Sequence, residues 1–186
     1  MRIIAGEKKS RQIKAPEGMD TRPTGDKAKE ALFSILMHRV AGARVLDLYA
    51  GSGALSLEAL SRGADSAVLS DASPKACRVI DENIRSLAYE GRARLLRMND
   101  SAAIALLARE GAEFDLIFLD PPYRMDTAPV CAKLAAEGLL ARDGMLIVEH
   151  SRETPPEIAS PFVLQNRRNY GVAGLSFYTW EEEGEA

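Results

Sequence analysis

The chain has 186 residues, 46% of them apolar, with two cysteines and a formal charge of −3. That length is one domain with room for a small appendage, and that apolar fraction can build a core without metals or disulfides. No apolar run approaches the roughly 20 residues of a membrane span, and charge interrupts the N-terminus from Arg2 onward, so neither a membrane span nor a signal peptide is expected and the protein is expected in the cytoplasm.

The charge is unevenly spread. Residues 1–29 hold eight basic and four acidic side chains, leaving that stretch at +4 and the remainder at −7. A basic front on an acidic body suits a local contact with a polyanion, although an ordinary solvated surface would read the same way. Cys77 and Cys131 lack partners at metal-ligand spacing and read as small core residues of a reducing compartment.

In chain order, Arg2–Ala5 and Arg11–Ala15 read as a short hairpin, followed by a loop broken by Pro16, Gly18 and Pro23. Residues 1–24 are therefore expected to form an N-terminal hairpin and loop, and 25–186 the main domain. Residues 26–40 read as a helix with Gly42 beyond its end. Then short apolar strands alternate with helices. Strands are expected at Arg44–Tyr49, Ala67–Ser70, Arg94–Arg97, Phe114–Leu119 and Met145–Val148. Helices are expected at 53–62, 74–88, 101–109 and 127–136. Continuous apolar strands in a βαβ rhythm specify a parallel, doubly wound α/β sheet. Phe162–Asn166 and Leu175–Trp180, joined by Arg167–Gly171 with no helix between, predict a terminal antiparallel hairpin. Residues 181–186 are an acidic tail.

In such sheets ligands bind at the carboxyl ends of the strands. The first loop there reads Asp47-Leu48-Tyr49-Ala50-Gly51-Ser52-Gly53. Gly51 and Gly53 permit a tight turn and close approach of a ligand. Asp47 is an odd residue in a buried strand unless it is hydrogen-bonded or faces a ligand. Ser56 stands where a dinucleotide fingerprint wants glycine or alanine, and Asp47 would repel a pyrophosphate. The set suits a ligand bearing positive charge, such as the amino acid end of S-adenosylmethionine. Asp71, beside Ala72, can take both hydroxyls of a ribose or act as an acid at a helix N-terminus. Asp100 can accept from an adenine amino group or cap the following helix.

The fourth strand ends in Asp120-Pro121-Pro122-Tyr123. Two prolines lock the backbone and remove two amide donors, freeing the Pro121 carbonyl to accept. A carboxylate and a carbonyl can hold the two hydrogens of a planar, poorly nucleophilic amino group and aim its nitrogen at a methyl donor. Tyr123 supplies a face on which a splayed-out base can stack. No metal and no covalent intermediate are required.

With these residues in view, the 44–150 segment resembles the seven-stranded class I, Rossmann-like, S-adenosylmethionine methyltransferases, and Asp-Pro-Pro-Tyr is like the motif of their amino-methylating members. Further matches are Arg2-Ile3-Ile4-Ala5-Gly6, Arg22-Pro23-Thr24, Glu30-Ala31-Leu32-Phe33, Ala50-Gly51-Ser52-Gly53-Ala54-Leu55, Leu57-Glu58-Ala59-Leu60 and Arg168-Asn169-Tyr170-Gly171. Together they resemble the bacterial 16S ribosomal RNA guanine-N2 methyltransferases of the RsmD type. The resemblance implies a monomer using S-adenosylmethionine on RNA held in the small ribosomal subunit or a late precursor. It implies catalysis by Asp120–Tyr123, cofactor binding by Asp47, Ala50, Gly51, Ser52, Gly53, Asp71, Ala72 and Asp100, and RNA contact by Lys8, Lys9, Arg11, Arg22, Thr24 and Arg168. Ser10 departs from a usual glycine, Gly25 from Thr or Ser, and Arg168 from a frequent lysine.

Rival readings share part of this pattern. A DNA adenine-N6 methyltransferase uses the same chemistry but normally needs extra residues to read duplex sequence. A protein glutamine methyltransferase typically has Asn before Pro-Pro-Tyr. A nicotinamide-dependent oxidoreductase or a nucleotide-binding module is opposed by Asp47 and the absent third glycine. His38 and His150 read as surface or helix-end residues, and Trp180 as packing against an edge strand.

Overall fold

A computed structural model describes residues 1–16, 24–122 and 124–182, with the side chains of 24–26 excepted. After the N-terminal arm come α1 (Thr24–Ile35), β1 (Arg44–Leu48), α2 (Ala54–Ser61), β2 (Ser66–Ser70), α3 (Pro74–Ser86), β3 (Ala93–Leu96), α4 (Asp100–Arg109) and β4 (Phe114–Leu119). The chain continues with α5 (Ala128–Ala136), β5 (Leu140–Ser151), β6 (Phe162–Tyr170) and β7 (Ala173–Trp180). The strands make one seven-stranded sheet in the order β3-β2-β1-β4-β5-β7-β6, with β1 to β5 parallel and β7 antiparallel to both neighbours. This is the expected doubly wound α/β sheet with its terminal hairpin.

Alternation along the strands builds two cores. Val45, Leu69, Leu116, Phe118, Ile147 and Phe177 meet α1, α2 and α3 on one face. Leu46, Leu48, Ile117, Leu119, Leu146 and Val148 meet α4 and α5 on the other. Because β1 is covered on both sides it has no solvent-facing side, and from Val45 to Leu48 it is apolar except for Asp47.

The structure departs from expectation where polar residues enter regular elements. β5 begins at Leu140, five residues before the expected Met145. Its first half is an irregular extension in which Phe114 pairs with Leu140 but Leu116 with Met145, so the register shifts. Arg142 and Asp143 are exposed there, and no apolar pattern announces them. Side chains hold the extension instead: Trp180 Nε1 donates to the Leu140 and Ala141 carbonyls at 3.1 Å, and Arg39 Nη1 to the Asp143 carbonyl at 2.9 Å. β6 runs on to Tyr170, so the expected joining segment is largely strand and the turn is Gly171-Val172. α1 stops at Ile35 and continues as turns to Arg39.

The N-terminal hairpin is reduced to one bridge, Arg2 with Gln12, made by Ile3 N–H to the Arg11 carbonyl and Ile13 N–H to the Met1 carbonyl, each at 3.0 Å, with Ser10 N–H to the Ile3 carbonyl at 2.9 Å beyond it. Ser10 sits at φ 68°, a left-handed conformation that favours the glycine expected there. The arm is held from below by Glu58. This carboxylate is fully buried, and it accepts from Ile4 N–H at 2.8 Å, Ala5 N–H at 3.0 Å and Arg62 Nε at 2.7 Å. Lys29 of α1, 6% exposed, lies 3.4 Å from it and donates to the Arg2 carbonyl at 2.7 Å. One carboxylate on α2 thus fixes both the arm and α1. Removing one member of a buried ion pair strands the other, which typically costs about 3–5 kcal/mol. Glu58→Ala should lose about that much in urea unfolding, whereas Lys29→Met, which leaves Glu58 its bonds from Arg62 Nε and the Ile4 and Ala5 amides, should lose clearly less. Equal, small losses would show that the pair is not what anchors the arm.

Candidate active site

The pairings Leu48 with Ser70, Leu48 with Leu119 and Ser70 with Leu96 bring four strands to the same level at their carboxyl ends. The loops that leave them carry the residues singled out from sequence. The winding reverses between β1 and β4, since α2 and α3 cover one face and α4 and α5 the other. That reversal is where doubly wound sheets open a crevice.

The loop after β1 turns through three left-handed residues, Tyr49 (φ 68°), Gly51 (φ 59°) and Gly53 (φ 78°). A Cβ on Gly53 would come within 3.0 Å of Leu69 Cδ2 and 3.4 Å of Leu57 Cδ1, so glycine is needed there for space as well as for φ. Ala50 N–H donates to the Ser70 carbonyl at 3.0 Å, tying the loop to β2. Ser52 is buried, and its carbonyl accepts from Asn83 Nδ2 at 2.9 Å. Asn83 also holds the N-terminal arm, accepting from Lys14 N–H at 2.8 Å and donating to the Lys14 carbonyl at 3.0 Å. Sequence reasoning passed over Asn83, whose only signal was a polar residue on the buried face of α3.

Asp47 is 1% exposed and accepts from Ser56 Oγ at 2.9 Å. Burial pushes its carboxyl up to about 7, with the Ser56 bonds opposing and the Asp71 charge adding. Asp71, after β2, accepts from Gly51 N–H at 2.9 Å and Ser73 N–H at 2.8 Å. Each carboxylate oxygen there has a second lone pair open to a ligand hydroxyl. Ala72 beside it is exposed.

Asp100 does not cap α4. The cap is Asn99, whose side chain accepts from Ala102 N–H at 2.9 Å, and the helix begins at Asp100 itself. Asp100 accepts instead from Tyr49 Oη at 2.9 Å, and burial together with that carboxylate pushes the phenol upward. A desolvated carboxylate at Asp47, two acids at neighbouring strand ends and a glycine turn fit S-adenosylmethionine, whose sulfonium and ammonium are cationic and whose ribose and adenine offer donors.

Asp120 and Pro122 are exposed and Pro121 is buried at the end of β4. Tyr123 lies outside the described residues. A cleft of about 610 Å³ opens beside the two prolines, between Arg124–Thr127 and Thr154–Glu157, with Glu149, His150 and Ser151 at the end of β5. His150 is neither a surface nor a helix-end residue. It is buried in β5, with Nδ1 2.8 Å from the Ser151 carbonyl and Nε2 2.8 Å from Ser176 Oγ. A carbonyl only accepts, so Nδ1 carries the hydrogen and a neutral ring accepts at Nε2. Burial, foremost, lowers the imidazole's affinity for a second proton. Ser176 Oγ in turn accepts from Arg167 Nε at 2.9 Å, and Arg167 Nη2 reaches the Pro156 carbonyl at 3.5 Å. This chain of bonds ties the far wall of the cleft to β7. Gly174 makes room for it, since a Cβ there would fall 2.3 Å from His150 Cε1.

The basic residues divide into two groups. Arg168 is exposed on β6, opposite Leu175, and the antiparallel pairing of β7 with β5 places that end of the hairpin beside the carboxyl end of β5. Lys8, Lys9 and Arg11 are not gathered at the site. Lys8 N–H donates to Ser61 Oγ at 3.0 Å, its ammonium lies 5.5 Å from the Tyr89 ring centroid, and Arg11 Nη2 donates to the Ser86 carbonyl at 3.0 Å. Ser61 and Ser86 end α2 and α3, so the tip of the arm sits at the opposite edge of the sheet. Arg22 and the side chain of Thr24 lie outside the described residues. Cys77 and Cys131 are buried and unpaired with each other, and Trp180 packs against Phe162 of the edge strand at 4.7 Å between ring centroids, as expected for all three. His38 is exposed, as expected.

The chain was also compared with known proteins. The family described as conserved hypothetical protein 95 matches residues 1–179. Bacillus subtilis YlbH is 38% identical over 96% of this chain and 98% of its own. Ribosomal RNA small subunit methyltransferase D of Escherichia coli strain K12 is 32% identical over 100% of this chain and 93% of its own. The solved structure of Escherichia coli yhhF superposes with a TM-score of 0.85 at 32% identity, covering 98% of this chain and 99% of that one.

The state of Asp47 has a measurable consequence. Its carboxyl is held at about 7 in the folded chain against a reference of 3.8. The protonated acid therefore favours the native state fully below about pH 3.8, and that contribution is lost as pH rises through 7. Without ligand, Asp47→Asn should be more stable than the parent at pH 8 in urea unfolding, and the two should converge as pH falls toward 4. Parallel pH profiles would mean that Asp47 is not desolvated as described.

Proposed function

The chain belongs to the conserved hypothetical protein 95 family, in company with ribosomal RNA small subunit methyltransferase D, and from that premise we propose that it methylates the exocyclic N2 of a guanine in 16S ribosomal RNA. The observation that carries this reading is the placement of Asp120-Pro121-Pro122. It ends β4, one strand from the glycine turn that follows β1, and opens on the cleft.

S-adenosylmethionine, bound by the turn and by Asp71 and Asp100, supplies a methyl group on a cationic sulfur. Asp47 offsets positive charge at the base of that site. The Asp120 carboxylate and the Pro121 carbonyl accept the two hydrogens of the guanine amino group, which turns its nitrogen toward the methyl carbon and draws electron density onto it. Bound at the glycine turn, S-adenosylmethionine would supply the methyl carbon, with the electron pair of its S–C bond leaving on sulfur as the N–C bond forms. The nitrogen then loses one proton, which Asp120, already accepting from that amino group, would receive. Tyr123 stacks on the extruded base. Arg168 contacts RNA near the site, Arg22 and Thr24 contact RNA as well, and Lys8, Lys9 and Arg11 extend that contact down the flank of the domain. The substrate is the small subunit or a late precursor, and the protein acts as a cytoplasmic monomer.

Methyl transfer from labelled S-adenosylmethionine should be measured on unmethylated small subunits, naked ribosomal RNA, duplex DNA and release-factor protein. The label is expected in the RNA of subunits as N2-methylguanosine, with Asp120→Ala slowing kcat by about 100- to 1,000-fold, as loss of one preorganised polar contact does. S-adenosylhomocysteine should raise the melting temperature of parent and variant alike. Label only in DNA or only in protein would overturn the ribosomal assignment.

A further inference from the structure

The cleft beside Pro121 and Pro122 holds two polar groups that methyl transfer itself does not use. Glu149 lies on β5, the strand adjacent to β4, and lines the same cleft as Pro121 and Pro122. Thr127 lies on the opposite wall, at the start of α5. A threonine in this position usually caps its helix, but here the side chain makes no cap bond and Asp126 Oδ1 accepts from Ala128 N–H at 3.0 Å in its place. Thr127 is 4% exposed, and its Oγ1 has no hydrogen-bond partner among the described residues. A buried hydroxyl left in that state costs free energy until it is partnered, and Thr127 is among the residues that line the cleft.

Only one nucleobase matches this set of groups. In adenine and cytosine, the amino-bearing carbon is flanked by one acceptor ring nitrogen and one ring carbon, so neither offers a ring N–H beside the amino group. In guanine, the carbon that bears the amino group has N1–H on one side, with the O6 acceptor beyond it. A base whose amino group is held by Asp120 and Pro121 thus presents one further donor and one acceptor on the same edge. We propose that Glu149 and Thr127 read guanine: the Glu149 carboxylate accepts from N1–H, and the Thr127 hydroxyl donates to O6. The same carboxylate would face the lone pair of adenine N1, cytosine N3 or a glutamine amide oxygen, and so rejects the substrates of related amino-methylating chemistry by repulsion. This inference rests on the guanine-N2 reading above.

The test uses small subunits assembled on RNA that carries 2-aminopurine in place of the methylated guanine. That base keeps the amino group but has a lone pair at N1 and no O6. The parent enzyme should prefer guanine by about 100-fold or more in kcat/KM, as sites built to pair a polar group do. Glu149→Gln, whose amide can donate to the unprotonated N1, should lose activity on guanine and gain it on 2-aminopurine. Thr127→Val should slow guanine by about tenfold and leave 2-aminopurine unchanged. It replaces an unpartnered buried hydroxyl with a methyl group, a change that is close to neutral for folding. A preference ratio unchanged in both variants, with guanine still methylated by the parent, overturns this inference alone. A parent enzyme that places no methyl on guanine N2 overturns the underlying reading instead.

Discussion

Every group in the site hangs from the parallel register of β1 with β2 on one side and β4 on the other. The pairings of Leu48 with Ser70 and with Leu119 decide that Asp71 and Asp120 leave the sheet at one level, flanking the glycine turn. Burial of both faces of β1 enforces that register. A slip by one residue would send Asp47 into the core formed with α4 and α5, and would place Leu46 or Leu48 where Ser56 now meets a carboxylate. The hydrophobic pattern and the buried acid of β1 therefore specify the same alignment, and the loops of the candidate site inherit it.

The N-terminal arm is joined to this frame by polar contacts rather than by a sheet. Its two short segments share only one bridge, so most of its backbone groups must find partners elsewhere. Glu58, Ser61 and Asn83 provide them, the first two from α2 and the third from α3. Asn83 is the link of most consequence, because the amide that holds Lys14 also holds the Ser52 carbonyl of the glycine turn. Movement of the arm and the shape of the cofactor loop are coupled through one side chain, so an arm in contact with RNA would bear on the site without touching it.

The fold was legible because its signals were local. Gly53, Gly63, Gly111 and Gly138 mark the boundaries of helices, and the apolar strands between them could be placed to within a residue or two. Long-range pairing was not legible. Arg142 and Asp143 read as loop, yet they belong to β5, where side-chain donors from α1's extension and β7 hold the backbone. His150 read as a surface residue because its partners, Ser151 and Ser176, are a neighbour and a residue on a strand that only the hairpin topology brings adjacent. For the site, the residue types at the strand ends pointed to the chemistry of a methyl donor and an amino group. What they left open was which polar contacts were already made: Asp100 to Tyr49, Asn99 as the cap, and Glu58 as an internal anchor. Lys8 and Arg11 show the same limit, since a basic count cannot say to which edge of the sheet a hairpin tip is docked.

The charge of −3 would argue against a nucleic-acid partner if affinity and reading used the same surface. They need not. Contacts to phosphates position a nucleic acid and call for cations, whereas contacts to base edges discriminate and call for whatever the base lacks. The cleft is lined by Glu149, Asp126 and Glu157 beside Asp120, a surface hostile to a phosphate but suited to a base edge that offers several N–H groups. Arg124 lines it as well, and Arg168 is exposed on the neighbouring hairpin, opposite Leu175. On the guanine reading, such an acidic pocket would admit the N–H edge of an extruded base while keeping the flanking phosphates outside it. That division would favour RNA already held in a ribosomal scaffold, where other molecules meet the cost of bringing the backbone near, over free RNA that this surface would have to attract by itself.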